Sequence, residues 1–434
     1  MAGLVIMGYL TLVFLAFVTI FGICKCKNIY NPITLFFGYW TCLIFFAILQ
    51  LYNFYGLSNS TFFLLFIGLF SVFLGFFIGG KKKIAIHNNS HNSKHSYNEK
   101  IMLAINILIL LFIIVRVLVL LRLIVSGYSW WNIRLIASGN DGENFSSYWG
   151  SSIVYNIYTY VIAPIIYMEA PMLIIMIYNK KYRDNRLVIL LLINFGLFSV
   201  MTVSRNLMSF LVVYFVVGFF VFHKHKDPKV RNSIKKFKKF IPIVILILIA
   251  AIWKISSLRD TEEDILETLY IYMVGGLPSL EYRLNYYFYP TYTFGLYTLR
   301  GFIRPLLLVI HIFGFDDPSI YQTVVQIASD CEAYVPIGDD VRMNAYATIF
   351  YSLFRDGGYI GIVIGSVLFG WIMKISYNSM KRKDDIRSYV IYFLIIQQIF
   401  FSMARFYFVF PTRAFSYVWA FILLSHTEKN NNYI

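Results

Sequence analysis

The chain has 434 residues, 59% of them hydrophobic, 19% aromatic and only 14% charged. A soluble domain runs about 45–50% apolar and about 25% charged, so this composition excludes a water-soluble globule and a disordered chain alike. The formal charge of +16 would point to nucleic acid only if the basic residues shared one face, so their distribution is the informative quantity.

A transmembrane helix needs about 20 apolar residues. Taken in chain order, 3–23, 32–52 and 61–80 meet this without a charge, and 101–126 and 153–178 meet it with ionisable groups inside. The stretches 187–203 and 206–222 read as a hairpin about Ser204-Arg205-Asn206. Four more follow at 240–258, 357–375, 388–404 and 406–425, the last interrupted by Pro411 and Arg413. The expected fold is an all-α polytopic membrane protein of about 11 transmembrane helices, a single integral membrane domain over 1–434. Within it, 259–346 is one long, partly helical extracytoplasmic segment and the candidate catalytic region. The first span lacks a basic leader and a small-residue cleavage site, so it is expected to be retained. No inverted internal repeat is visible.

The connections at 24–31, 81–100, 179–186, 223–239 and 376–387 are all basic and alternate as one side should. By the positive-inside rule they are cytoplasmic, with the N-terminus outside and the C-terminus inside. That side then holds 20 Lys and 5 Arg, whereas the outer side and the membrane hold one Lys (Lys254) and 12 Arg. Arginine presents a planar fork matched to phosphate or carboxylate and tolerates partial desolvation better than lysine. Phosphate is one explanation for the outer arginines; pairing with the 16 acidic residues of the same side is the other.

The segment 259–346 opens with capping-box spacing from Thr261 to Asp264, is broken at Gly275-Gly276-Leu277-Pro278, and continues into a tyrosine-dense stretch. Tyr282, Tyr286, Tyr287, Tyr289, Tyr292 and Tyr297 are interleaved there with Arg283, Arg300 and Arg304. Arg300 and Arg304 are four apart and share one helical face. Aromatic faces stack on sugars and arginines hold phosphate; an interfacial aromatic belt is the ligand-free alternative. Trp130, Trp131 and Arg134, before the turn Gly139-Asn140-Asp141-Gly142, make a second candidate glycan wall or a plain anchor.

Ionisable groups inside a bilayer cost several kcal/mol unless paired or hydrated, so Arg116, Glu169, Arg205, Arg405 and Arg413 are functional candidates. Arg205 and Arg405 sit at outward turns, and Arg116 and Glu169 are candidates for a cross-span pair although their depths differ by more than a turn. Candidate general bases outside are Asp264, Glu281, His311, Asp330, Glu332, Asp339, Asp340 and Asp356. His311 is the one histidine on that side, and imidazole suits proton transfer near neutral pH. Asp356 has a second reading as the cap of the span that starts at Gly357. His87, His91 and His95 recur every four residues but lack a carboxylate or Cys to complete a metal shell, so no metal is expected. Of four cysteines only Cys331 lies outside, which gives no disulfide framework. No phosphate loop, GxGxxG or HExxH is present, and no cofactor is expected.

Several segments resemble the oligosaccharide repeat-unit polymerases, the Wzy-type polymerases of O-antigens and capsules. They are Asn31-Pro32 opening the second span, the Ser204-Arg205 turn, the Gly275-Gly276-Leu277-Pro278 break, and Asn344-Ala-Tyr346-Ala-Thr348 followed by Asp356-Gly-Gly-Tyr-Ile-Gly361. The likeness covers nearly the whole chain in layout and these short patches in residues, with Gly357 where an aromatic is commoner. It implies a glycosyltransferase of the cytoplasmic (inner) membrane of a bacterium. The enzyme would polymerise undecaprenyl-diphosphate-linked oligosaccharide repeat units into O-antigen, capsular polysaccharide or exopolysaccharide at the outer face, releasing undecaprenyl diphosphate. Donor and acceptor would both be lipid-linked, membrane lipid and the flippase and chain-length regulator proteins would be neighbours, and no nucleic acid would take part. On this reading Arg205, Arg283, Arg300, Arg304 and Arg405 hold diphosphate, Asp356 or His311 is the base, and Trp130, Trp131, Tyr287 and Tyr346 line the glycan. The alternatives are an O-antigen-ligase-like transferase, a polysaccharide flippase and a membrane scaffold.

Overall fold

The computed structural model describes residues 6–79, 97–139, 144–223 and 265–424. The expected span at 240–258, the three spaced histidines, the Thr261–Asp264 capping box, Lys254 and residues 140–142 of the expected 139–142 turn lie outside the described residues. Among the described residues, seven helices are long and apolar enough to cross a membrane: Ile6–Cys26, Pro32–Leu49, Asn59–Ile78, Glu99–Val125, Ser152–Tyr178, Asn206–His223 and Thr348–Lys383. Asn185–Met201 and Ile386–Phe400 are apolar but shorter. The fold is that of a helical polytopic membrane protein. Among the described residues, a small antiparallel ladder joining Val335–Pro336 to Arg342–Met343, with an isolated bridge from Phe54 to Gly338, amends the all-α expectation.

Two of the expected spans are trimmed for local reasons. The 187–203 stretch stops at Met201 because Val203 adopts a left-handed backbone (φ 46°) and Ser204 N–H turns back to the Ser199 carbonyl. The 406–425 stretch becomes helical only at Pro411, whose fixed φ and missing N–H suit a first helical position.

The chain forms two compact units. The first comprises Met1–Ile86, Glu263–Arg382 and Ile395–Ala414. Its apolar floor is the three N-terminal helices, where Phe14 meets Phe37, Phe66 and Phe73 edge-on. Asn31 caps the second of them by accepting the Thr34 N–H at 2.9 Å, with Pro32 following as the first helical residue. Asn59–Ile78 packs backbone to backbone on Thr348–Lys383: a Cβ on Gly75 would stand 2.0 Å from the Val367 carbonyl, and one on Gly370 2.1 Å from that of Val72. Over this floor come the helices Ile265–Val274, Gly276–Tyr286, Arg300–Ile312 and Ser319–Glu332.

The second unit comprises His87–Glu262, Lys383–Leu394 and Phe415–Ile434. Glu99–Val125 packs on Asn185–Met201, and Ser152–Tyr178 on Asn206–His223. A polar thread joins three of these helices through fully buried side chains. Asn106 donates to Glu169 Oε1 at 2.6 Å, and Asn194 donates to Asn106 Oδ1 at 2.9 Å.

Candidate functional site

The site is assembled in the first unit, where the long Thr348–Lys383 helix is interrupted. Gly358 takes φ 58°, and the backbone at Gly357 is extended, so the helix breaks between Asp356 and Tyr359. The freed carbonyls of Arg355 and Asp356 accept the N–H groups of Thr293 (3.1 Å) and Phe294 (2.9 Å). The Asp356 carboxylate completes the clamp, with Oδ1 accepting from the Thr293 hydroxyl (2.6 Å) and Tyr297 N–H (3.1 Å) and Oδ2 from Thr298 N–H (3.1 Å). Asp356 therefore caps the incoming 293–298 turn rather than the helix that follows it, and both its oxygens are already hydrogen-bonded.

Arg283 and Arg355 form a buried knot beside this clamp. Arg283 is 0% exposed and gives its guanidinium to the carbonyls of Asp330 and Ala333 and to Ser279 Oγ. Arg355 donates to the carbonyls of Arg283 (2.8 Å) and Tyr287 (2.9 Å) and lies over the rings of Tyr289 and Tyr351. Tyr289 in turn donates to Asp330 Oδ2 at 2.8 Å; burial, with neighbouring Tyr351 and Asp330, pushes its hydroxyl pKa upward. The knot ties the end of Gly276–Tyr286 to the end of Ser319–Glu332.

From the 293–299 turn the chain enters Arg300–Ile312. Gly301 allows this helix to approach the Phe408–Phe410 backbone, where a Cβ would stand 2.5 Å from the Phe408 carbonyl. Arg300, Arg304, Leu307, Leu308 and His311 follow one another at helical spacing and line one side of a groove of about 230 Å³. Asp317, Tyr321 and Val325 line the other side. Gly314, with φ 80°, ends the helix and swings the chain back, so that Asp317 Oδ1 lies 3.0 Å from His311 Nε2. Neither the Arg300 nor the Arg304 guanidinium hydrogen-bonds to a described residue, and Arg300 Nε is buried without a partner. An orphaned buried donor of this kind is costly and is commonly relieved by a ligand or water.

Arg405 stands at the turn after Ile386–Phe400 and pairs with Glu332 (Nη1 to Oε1, 2.6 Å). Desolvation alone would raise the Glu332 carboxyl, but Arg405, reinforced by Arg283 and Arg300, holds it below its ordinary value. The same pairing with Glu332 raises the Arg405 guanidinium against the desolvation that opposes it.

The structure thus brings Arg300, Arg304 and His311 to one groove, with Arg405 engaged to Glu332 and Arg283 buried in the knot. Tyr287 is half-buried under the Arg283 guanidinium, and the Tyr346 ring rests against Tyr272 at 6.0 Å. Arg205, Trp130 and Trp131 belong to the second unit. There Arg205 occupies the expected hairpin turn and Ser209 N–H returns to its carbonyl, while Arg134 lies over the half-exposed Trp131 ring. Arg116 and Glu169 do not pair: Arg116 donates to the Tyr148 carbonyl at 2.7 Å and Glu169 is met by Asn106. All four cysteines are free thiols, and no cluster of three metal-ligating side chains occurs among the described residues.

Two residues escaped the sequence reading. Asp317 lies six positions after His311, a spacing no single helix face provides, and only the Gly314 reversal makes them neighbours. Arg355 sits next to the conspicuous Asp356, and its adjacency was the available signal. Comparisons with family models, with curated proteins and with solved structures return no match for this chain.

Proposed function

We propose that this protein is a membrane glycosyltransferase that polymerises lipid-diphosphate-linked oligosaccharide repeat units at the outer face of a bacterial cytoplasmic membrane. The observation that carries the reading is the groove in which Arg300, Arg304 and His311 converge with uncommitted guanidinium groups. In the proposed reaction an acceptor-sugar hydroxyl attacks the anomeric carbon of the donor glycan. The bond from that carbon to the diphosphate oxygen breaks, and undecaprenyl diphosphate leaves. Arg300 and Arg304 stabilise the charge that grows on the departing diphosphate. His311 takes the hydroxyl proton; Asp317 orients its ring through Nε2 and leaves Nδ1 for the substrate. Asp356 is assigned to scaffolding on this reading, because its carboxylate already accepts three hydrogen bonds. Arg405 and Arg205 are proposed as further phosphate contacts, and Trp130, Trp131, Tyr287 and Tyr346 as glycan walls. The 11-span topology, with 259–346 and the N-terminus outside and the C-terminus inside, belongs to the same proposal. So do undecaprenyl-linked donor and acceptor and a flippase and chain-length regulator as neighbours.

Deletion of the gene and examination of the lipid-linked glycan test this. The expected product is single repeat units attached to their final acceptor; long unattached chains would instead indicate a ligase. A transporter reading draws on Glu169, a fully buried carboxylate whose one hydrogen bond is to Asn106 and whose Oε2 has no partner. Repeat units accumulating on the cytoplasmic face of the deletion strain would favour that reading. For the site itself, Arg300→Lys and Arg205→Lys keep the charge and remove the fork; full activity in both ends the diphosphate assignment.

A further inference from the structure

We infer that the Arg300–Ile312 helix and the Phe313–Phe315 turn after it dock on the bilayer surface, with the helix lying in the membrane plane and its outer face in the lipid. The helix is inside-out for an aqueous setting. Its charged side, Arg300, Arg304 and His311, faces inward onto Ser319–Glu332, and its apolar side is bare. Leu306 is 63% exposed, Ile312 81% and Phe313 73%, with Val309 and Phe315 also open. Large contiguous apolar faces are rare on water-exposed surfaces and mark contact with protein or membrane.

Three observations select the bilayer as the occupant. First, the helix has 13 residues, about 20 Å at 1.5 Å per residue, which is too short to span and carries arginines at two successive turns of one side. Second, the bare side is apolar throughout, with Leu306, Val309, Ile310, Ile312, Phe313 and Phe315 exposed and the arginines turned to the groove behind it, as in a helix lying at a lipid interface. Third, the helix starts beside the break at Gly357 and Gly358, after which the apolar part of Thr348–Lys383 continues. The turn that feeds it is hydrogen-bonded to Arg355 and Asp356, and Tyr292 OH sits against Gly358, immediately before the apolar run from Tyr359. In that run Ile360 and Ile364 are exposed as a lipid-facing stripe would be. Immersion of the outer face sets Arg300 and Arg304 at headgroup depth, where a lipid-borne phosphate travels. That consequence rests on the diphosphate reading; the immersion does not.

The test measures depth without activity. Spin labels are placed at Leu306→Cys, Val309→Cys and Ile312→Cys in the full chain with Cys24, Cys26, Cys42 and Cys331 replaced, and at exposed Gln326→Cys on the facing helix as the aqueous control. In vesicles containing phosphatidylglycerol, the first three are expected to relax several-fold more with oxygen than with a water-soluble nickel chelate, and Gln326 the reverse. Nickel accessibility at 306, 309 and 312 equal to that at 326 would overturn the proposal. If the cysteine-replaced chain does not fold, hydroxyl-radical footprinting of the unaltered protein in nanodiscs decides. Phe313 and Phe315 are expected to be labelled several-fold less than exposed Tyr334, and equal labelling overturns the inference. An active protein with a water-exposed helix would remove the docking and leave the enzyme reading; a fully active Arg300→Lys protein with an immersed helix would support the docking and remove the diphosphate reading.

Discussion

Two arginine pairs from neighbouring stretches of the first unit meet opposite fates. Arg283 and Arg355 are buried and hydrogen-bonded to main-chain carbonyls that end helices. Arg300 and Arg304 line an open groove and bond to no described residue. The first pair does what a capping group does, neutralising carbonyl dipoles that would otherwise be stranded. The guanidinium groups of the second make no hydrogen bond to a described residue. Charge and residue type are identical, so only the surroundings separate the two pairs.

The comparison breaks most easily at Arg283. Replacing it with Met strands the Asp330 and Ala333 carbonyls, and leaving buried acceptors unsatisfied costs about 1–3 kcal/mol each. Thermal or denaturant unfolding in detergent is expected to show a loss of that order, and an unchanged midpoint would place Arg283 among the ligand-binding residues after all. Arg300→Gln and Arg304→Gln should do the converse. Polymer formation is expected to fall about 100-fold, as when one preorganised donor to a developing charge is removed. Their stabilities should fall less than that of Arg283→Met, because no hydrogen bond to a described residue is lost. His311→Gln belongs with this group and is read by the same polymer assay.

Asp356→Asn sharpens the boundary between scaffold and catalyst. The amide turns one acceptor oxygen into a donor facing Thr298 or Tyr297 N–H, an effect of about 2 kcal/mol on stability. Activity should fall only in step with folded protein; a far larger loss of turnover per folded molecule would return the base role to Asp356. The smallest effect is the Arg405–Glu332 pair. Because Glu332 is held below its ordinary value, its contribution is present at neutral pH, above the unfolded pKa, and is lost as pH falls through the folded value. With the carboxylate substantially exposed, that contribution is under about 1 kcal/mol. The difference in unfolding midpoint between parent and Glu332→Gln should therefore shrink below about pH 4, the ordinary range of a carboxyl.

Much of this was legible in one dimension. The apolar runs foretold the long helices because hydrocarbon thickness sets a length that composition must meet. Asn31-Pro32 opens the second span as read, whereas the span read as starting at Gly357 is preceded by a further helical stretch from Thr348, with the break falling at Gly357 and Gly358. The shared face of Arg300 and Arg304 followed from their spacing of four. Helix ends were less legible: the short Asn185–Met201 and the late start at Pro411 depend on a left-handed Val203 and a short 3-10 turn at Tyr407–Val409 that hydropathy does not encode.

What the sequence by itself determined is therefore the medium and the period: a chain for lipid, cut into helices, with arginine rather than lysine in the 259–346 segment. Which arginines would be buried on carbonyls, which would line a groove, and that Asp317 would meet His311 were decided by tertiary structure. The reason is geometric. Spacing along one helix specifies a face, but whether that face meets carbonyls, a carboxylate or open space depends on the neighbouring elements that packing brings to it.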